Sequence, residues 1–277
     1  MNRRKLDPTS SPLAAFAVHL RSSRDQKGLT QAQLADLMNY SETHVSNVET
    51  TKSRPDLKFV EKADEILETG GTLQLLWWSW KNGALIPGFT DYTTQETSAT
   101  AVRLFETRVM PGLLQTAEYA AALESGNVVR GKTTQEQADT RVAFLLKRQR
   151  ILAKTPPVAV FAIMDEAALR RPIGGPAVMA RQLKHLEELA KRPKTALQVA
   201  PDALGEANPL YYPLTLLTMP NRSMLGYTET QQRGYLERDG ATVAEWANDY
   251  DHLQIEALPR AASLAMIRKL RKDFEHA

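Results

Sequence analysis

A mainly α N-terminal domain of five short helices, followed by a larger α+β domain, is the fold class that the sequence predicts. Three observations lead there. Residues 12–82 repeat apolar side chains at helical spacing between capping residues. Residues 84–100 then break the pattern with Pro87-Gly88 and threonines 90, 93, 94, 97 and 100. Beyond residue 101, apolar runs of strand length alternate with helical stretches. The domains are accordingly set at 1–82 and 101–277, with 83–100 as a connector.

Leu13, Phe16, Ala17 and Leu20 define one face of the first helix, and Gly28 ends it. Thr30 caps the second and forms a capping box with Gln33, leaving Leu34, Ala35, Leu37 and Met38 inward. After Asn39-Tyr40, Ser41 caps a third short helix with Val45 and Val48 inward. Pro55-Asp56 opens a fourth through Leu57, Val60, Ala63 and Leu67, closed by Gly70-Gly71. The fifth runs from Thr72 to Gly83 and carries Trp77, Trp78 and Trp80, read as interdomain or dimer packing.

In the second domain, 102–110 is strand-like, 116–123 is an amphipathic helix and 134–152 a longer charged one. Strands follow at 158–164 and 196–199, with a helix between them at 176–189. Residues 214–219 and 224–227 pair as a hairpin over Asn221-Arg222, and 241–258 and 263–274 are helical.

Composition narrows the function. The 277 residues carry a formal charge of only +3, so any nucleic-acid binding must come from a local arrangement. There are no cysteines, which removes disulfides and thiolate chemistry. The basic start is not followed by an apolar signal core, and no run approaches a membrane span, so a cytoplasmic protein without a membrane partner is expected. The five histidines are scattered, and no nucleophile elbow, phosphate loop or dinucleotide fingerprint occurs. No enzyme activity, cofactor or metal is therefore expected.

Residues 30–49 carry the strongest signal. Two short helices joined by a tight turn need a small residue where they meet, supplied by Ala35, and a turn residue tolerant of positive φ, supplied by Asn39. With Val45 and Val48 inward, Glu42, Thr43, Ser46 and Asn47 face outward, as on a helix laid in a major groove. This segment resembles the Xre/Cro/phage-repressor helix-turn-helix family over residues 13–68. The resemblance implies a phosphate contact from Gln31 and base reading by Glu42, Thr43 and Asn47. Ser41, His44 and Ser46 belong to the same DNA-facing set, and Thr50, Lys52 and Arg54 fall where the next loop meets the backbone. Arg24 and Glu49 match a structural ion pair. Two departures stand out: Thr50-Thr51 replaces the usual glycine, and Glu42 places an anion at the groove. Residues 1–35 hold six bases against two acids and residues 36–68 four against eight, so one copy binds weakly and a homodimer on a pseudo-palindromic site is expected.

In the second domain, Gln115, Arg148, Asp165, Glu166, Arg170 and Glu229 are candidates for lining a ligand or partner site, although Asp165 also reads as a plain helix cap. The strings at 109–116, 164–171 and 198–201 resemble the C-terminal domain of unknown function of actinobacterial Xre-type, WhiJ-like regulators. That resemblance implies double-stranded DNA as partner and a C-terminal domain sensing a small molecule or small partner protein. The leading reading is a dimeric transcriptional regulator. The alternative is an antitoxin-like interaction module whose DNA binding is autoregulatory.

Overall fold

The computed structural model describes residues 6–8, 12–82, 88–230 and 233–277. Contacts divide the chain into two compact units, residues 1–85 and 86–277.

The first unit contains α1 (Pro12–Gln26), α2 (Gln31–Met38), α3 (Glu42–Glu49), α4 (Leu57–Leu67) and α5 (Thr72–Asn82). Their inward faces meet in one core built on Phe16, Leu20, Leu34, Met38, Val45, Val48, Phe59 and Leu73. The Thr30–Gln33 capping box forms as its residues dictate, and Ser41 and Asp56 cap α3 and α4. Trp77 does not serve another surface: it is buried in this core, and its indole N–H donates to the Pro55 carbonyl at 2.7 Å. The side chains of Trp78 and Trp80, and the helix end at Gly83, lie outside the described residues.

The first four helices end alike. Gly28, Asn39, Thr51 and Glu68 each take a left-handed conformation. The next residue's N–H reaches back to Arg24, Ala35, Asn47 and Asp64 carbonyls respectively, closing a Schellman motif each time. The end of α4 thus differs from the sequence expectation, since Glu68 turns the chain before Gly70-Gly71. A left-handed β-branched residue is strained, and Thr51 sits at φ 61° where glycine is at ease. Thr51→Gly is therefore expected to stabilise this unit by about 1 kcal/mol, read as a raised midpoint in thermal unfolding. A lowered midpoint would mean that the Thr51 hydroxyl, which donates to the Thr50 carbonyl, outweighs the strain.

The second unit opens with α6 (Phe89–Ser98) and builds a six-stranded mixed sheet in the order β3-β2-β1-β4-β5-β6. The strands are β1 (Ala101–Glu106), β2 (Ala159–Asp165), β3 (Thr195–Ala200), β4 (Leu214–Thr218), β5 (Met224–Glu229) and β6 (Gly234–Glu237). The first three are parallel to one another, and β4, β5 and β6 join antiparallel. Between β1 and β2 lie α7 (Ala117–Val129) and α8 (Gln135–Arg148). Between β2 and β3 lie α9 (Glu166–Arg170) and α10 (Pro176–Leu189), and α11 (Gly240–Glu256) and α12 (Arg260–Glu275) close the chain. Side-chain alternation splits the sheet. Val102, Leu104, Val160, Ala162, Met164, Val199 and Leu217 share a core with Tyr92, Tyr119, Met179 and Ile267 from helices on one face. Phe105, Ile163, Leu214 and Leu216 pack against Val243, Ala247 and Tyr250 of α11 on the other.

Several expectations shift. Residues 83–87 of the expected connector lie outside the described residues, but 88–100 pack with the second unit, because α6 buries Tyr92, Thr93 and Glu96. The first strand stops at Glu106 rather than Met110: the position opposite it on the β4 side is Pro213, which has no N–H for a ladder bond. α7 extends to Val129, whereas α8 ends at Arg148 and tightens into a 3-10 turn over Gln149–Ala153. The short strand β6, which hydropathy did not signal, is paired to β5 at the sheet edge.

Candidate nucleic-acid interface

The two-helix unit α2–α3 is held from below by one charge cluster. Glu49 is fully buried, and its carboxylate takes both Arg24 Nε at 2.6 Å and Arg24 Nη2 at 2.9 Å. Gln31 Nε2 donates to the same carboxylate at 2.7 Å, and Arg21 Nε lies 3.5 Å away. The other Arg24 nitrogen donates to the Leu29 carbonyl at 2.7 Å, on the chain leading into α2. The bond to Glu49 holds the Arg24 guanidinium above its ordinary pKa. One carboxylate at the end of α3 thus ties together α1, α2 and α3.

Above this clamp, α3 turns Glu42 and Thr43 fully outward, with Ser46 and Asn47 half-exposed beside them. Among the described residues, no hydrogen bond engages the side chains of Glu42, Thr43, Asn47 or Lys52, so their polar groups are open to an external partner. Lys52 and Arg54 are exposed on the loop that follows. Ser41 and Thr50 do local work first. The Ser41 oxygen accepts from the His44 N–H at 3.1 Å, and the Thr50 hydroxyl donates to the Ser46 carbonyl at 2.8 Å. Gln31 keeps one amide proton after bonding Glu49, since its NH2 carries two donors.

His44 departs from the expected outward set. Its ring stacks on Tyr40 at 5.3 Å and meets Phe59 edge-on at 5.2 Å, which fastens the turn to α4. Tyr40 precedes the Ser41 cap of α3, so no helical spacing announces this pairing in the sequence. Lys62 adds to that fastening, donating to the Met38 carbonyl at 2.8 Å. Asp64 had no local signal: it is buried and accepts from the N–H groups of Leu73 and Gln74, at 3.0 and 2.8 Å, at the start of α5.

The candidates in the second unit separate into three places. Gln115 is structural, donating to the Met110 carbonyl at 2.7 Å inside the core. Asp165 caps α9 through the Ala167 N–H at 2.9 Å, and desolvation first of all raises its pKa. Glu166 accepts from Arg170 Nε at 2.7 Å and from the Asp202 N–H at 3.1 Å. Burial pushes its pKa up, but these bonds outweigh that and leave it lowered. Arg148 and Glu229 come within electrostatic reach of one another without an ion pair between them, near the end of the sheet where β1 and β5 finish. Arg148 binds Glu96 through Nε at 2.5 Å and Nη2 at 3.1 Å, and its guanidinium lies over Phe89 and Tyr92 at 5.3 and 5.6 Å. Tyr92 donates to Glu96, stacks on Tyr227 at 4.1 Å, and Tyr227 donates to Glu229 at 2.8 Å. Gly234 permits this: a Cβ there would lie 2.3 Å from the Tyr227 hydroxyl.

Glu106 joins them and was missed. Desolvation, with Glu229 nearby and Arg148 opposing, pushes its carboxyl up to about 8. The signal was parity, because Glu106 follows Val102 and Leu104 on the inward face of β1. Among the described residues no helix is long and apolar enough to cross a membrane.

Comparison with known proteins agrees with this division. A helix-turn-helix domain family matches residues 15–77, a match that points to a DNA-binding regulator. The domain of unknown function DUF5753 matches residues 89–269. No curated protein and no solved structure matches the chain. Because the second match spans well over half of the 277 residues, the chain belongs to the DUF5753 family, with a helix-turn-helix domain ahead of that region.

Proposed function

We propose that the protein is a sequence-specific transcriptional regulator of the Xre, WhiJ-like type, binding a pseudo-palindromic operator as a homodimer under the control of a sensing second domain. One observation carries the reading: α3 offers Glu42, Thr43 and Asn47 with no side-chain hydrogen-bond partner among the described residues, on a helix clamped by Arg24 and Glu49. An asparagine amide suits the N6/N7 edge of adenine, and a carboxylate accepts from cytosine N4. Glu42 repels phosphate, so base contacts rather than bulk charge must supply much of the selectivity. The near-zero charge of the first 80 residues makes one copy weak. Two copies on half-sites one helical turn apart recover the affinity.

The test is selection of bound duplexes from a random pool, followed by variants on the selected operator. Asn47→Ala is expected to cost about 1–3 kcal/mol there and to relax one base preference. Lys52→Ala should weaken selected and random duplexes alike and reduce the salt slope by about 1. Equal losses from Asn47→Ala on both duplexes would refute base reading by α3.

A further inference from the structure

The second unit holds an apolar cavity of about 180 Å³ beside the edge strand β3. Leu114, Val158, Val160 and Leu189, all buried, form its walls. Its mouth is formed by Ala153, Pro157, Pro193 and Arg192, which are exposed. Two polar side chains interrupt this lining. Thr195 pairs in register with Val160, so both side chains lie on the face of the sheet that the cavity adjoins. It is only 8% exposed, and among the described residues no hydrogen bond engages its hydroxyl. The Arg192 guanidinium likewise has no hydrogen bond or ion pair among the described residues. Glu188, four residues before it, is held by Lys191 at 2.7 Å. The Thr195 N–H donates to the Arg192 carbonyl at 3.4 Å, so the two stand together in the turn that enters β3. Buried hydroxyls as a rule have a partner, and here an entering ligand can supply one.

We propose that this cavity binds a small apolar carboxylate, its hydrocarbon body against Leu114, Val158 and Leu189 and its charged end on Arg192. An aliphatic cavity of roughly 150 Å³ accepts a benzene ring, so a single ring or a short alkyl chain fits here. A guanidinium grips a carboxylate through two parallel N–H···O bonds. The carboxylate has lone pairs to spare for the Thr195 hydroxyl. One cation balances one negative charge, which favours a carboxylate over a doubly charged phosphate ester. A cationic ligand is repelled by the same guanidinium, and a plain hydrocarbon leaves the hydroxyl unpaired. This names a ligand class for the second domain and rests on the reading of that domain as a sensor.

The experiment titrates the full chain calorimetrically at pH 7 with hexanoate, octanoate and phenylacetate. Octanol, octylammonium and inorganic phosphate serve as controls. The expected result is saturable 1:1 binding of at least one carboxylate. Octanoate should bind more tightly than hexanoate, by about fourfold for each further methylene buried. Octanol should bind about fivefold more weakly than octanoate. Arg192→Gln should lose about fivefold for octanoate while leaving octanol unchanged. Thr195→Val should also lose about fivefold for octanoate. Arg192 is exposed and valine keeps the shape of threonine, so both variants are expected to fold; circular dichroism checks this. No saturable carboxylate binding overturns the proposal, as does equal binding of octanol, preference for octylammonium or phosphate, or unchanged affinity in both variants. Affinity for the selected operator is then measured with and without octanoate. Binding that leaves operator affinity unchanged keeps the site and removes the sensing reading. Operator selectivity without carboxylate binding does the reverse.

Discussion

Arg24→Ala is expected to destabilise the helix-turn-helix unit by about 3–5 kcal/mol, at the lower end because Gln31 and Arg21 remain near Glu49. Truncation strands a fully buried carboxylate, and the cost of that desolvated charge exceeds anything the pair contributes while intact. The Leu29 carbonyl also loses its donor. Replacing both partners with methionine should restore most of the loss, since no buried charge is then left behind. Thermal unfolding of the full chain measures both. The consequence for DNA differs from that of Asn47→Ala. Operator and random duplexes should be lost together, because α3 is no longer held against α1. A double variant as unstable as the single one would show that the pair's geometry, rather than an uncompensated charge, sets the stability.

Glu106 gives the second large effect, a pH dependence with a definite sign. Its carboxyl titrates near 8 in the fold against an ordinary 4.5. Between those values the folded chain keeps a proton that the unfolded chain releases. Its contribution is therefore complete below about pH 4.5 and is lost as pH rises toward 8, with a slope of up to about 1.4 kcal/mol per unit. Glu106→Gln removes this slope. Urea denaturation from pH 5 to 9 should show the variant and the native chain converging at low pH. Near pH 8 they should diverge by a few kcal/mol, on the order of 3, with the variant more stable. Parallel stability curves would mean that Glu106 is ionised in the fold.

Much of the first unit was legible in the sequence because its determinants are local. Thr30 and Gln33 specify a capping box, Asn39 a left-handed turn and Val45 and Val48 an inward face, all within a few residues of the structure they create. The pairing of Arg24 with Glu49 came from family resemblance, since nothing local joins residues 25 positions apart. His44 shows the limit: its periodic position suits an outward face, but Tyr40 and Phe59 offer it rings to pack on. In the second unit the apolar runs marked strands, yet the extent of β1 depended on what lay across the ladder. β6 escaped notice because a four-residue edge strand needs little hydrophobicity of its own.

The sequence by itself determined the helix-turn-helix geometry, the α+β character of the rest and the outward set Glu42, Thr43 and Asn47. Capping and periodicity act over a single helical turn, so they can be read along the chain. Tertiary structure alone decided which polar residues lie together. It gathered Glu96, Glu106, Arg148, Tyr227 and Glu229 from four separate elements and sent Gln115, Asp165 and Glu166 to structural tasks. Long-range strand register and burial set those meetings and the protonation of Glu106, and neither quantity is encoded within any short stretch of sequence.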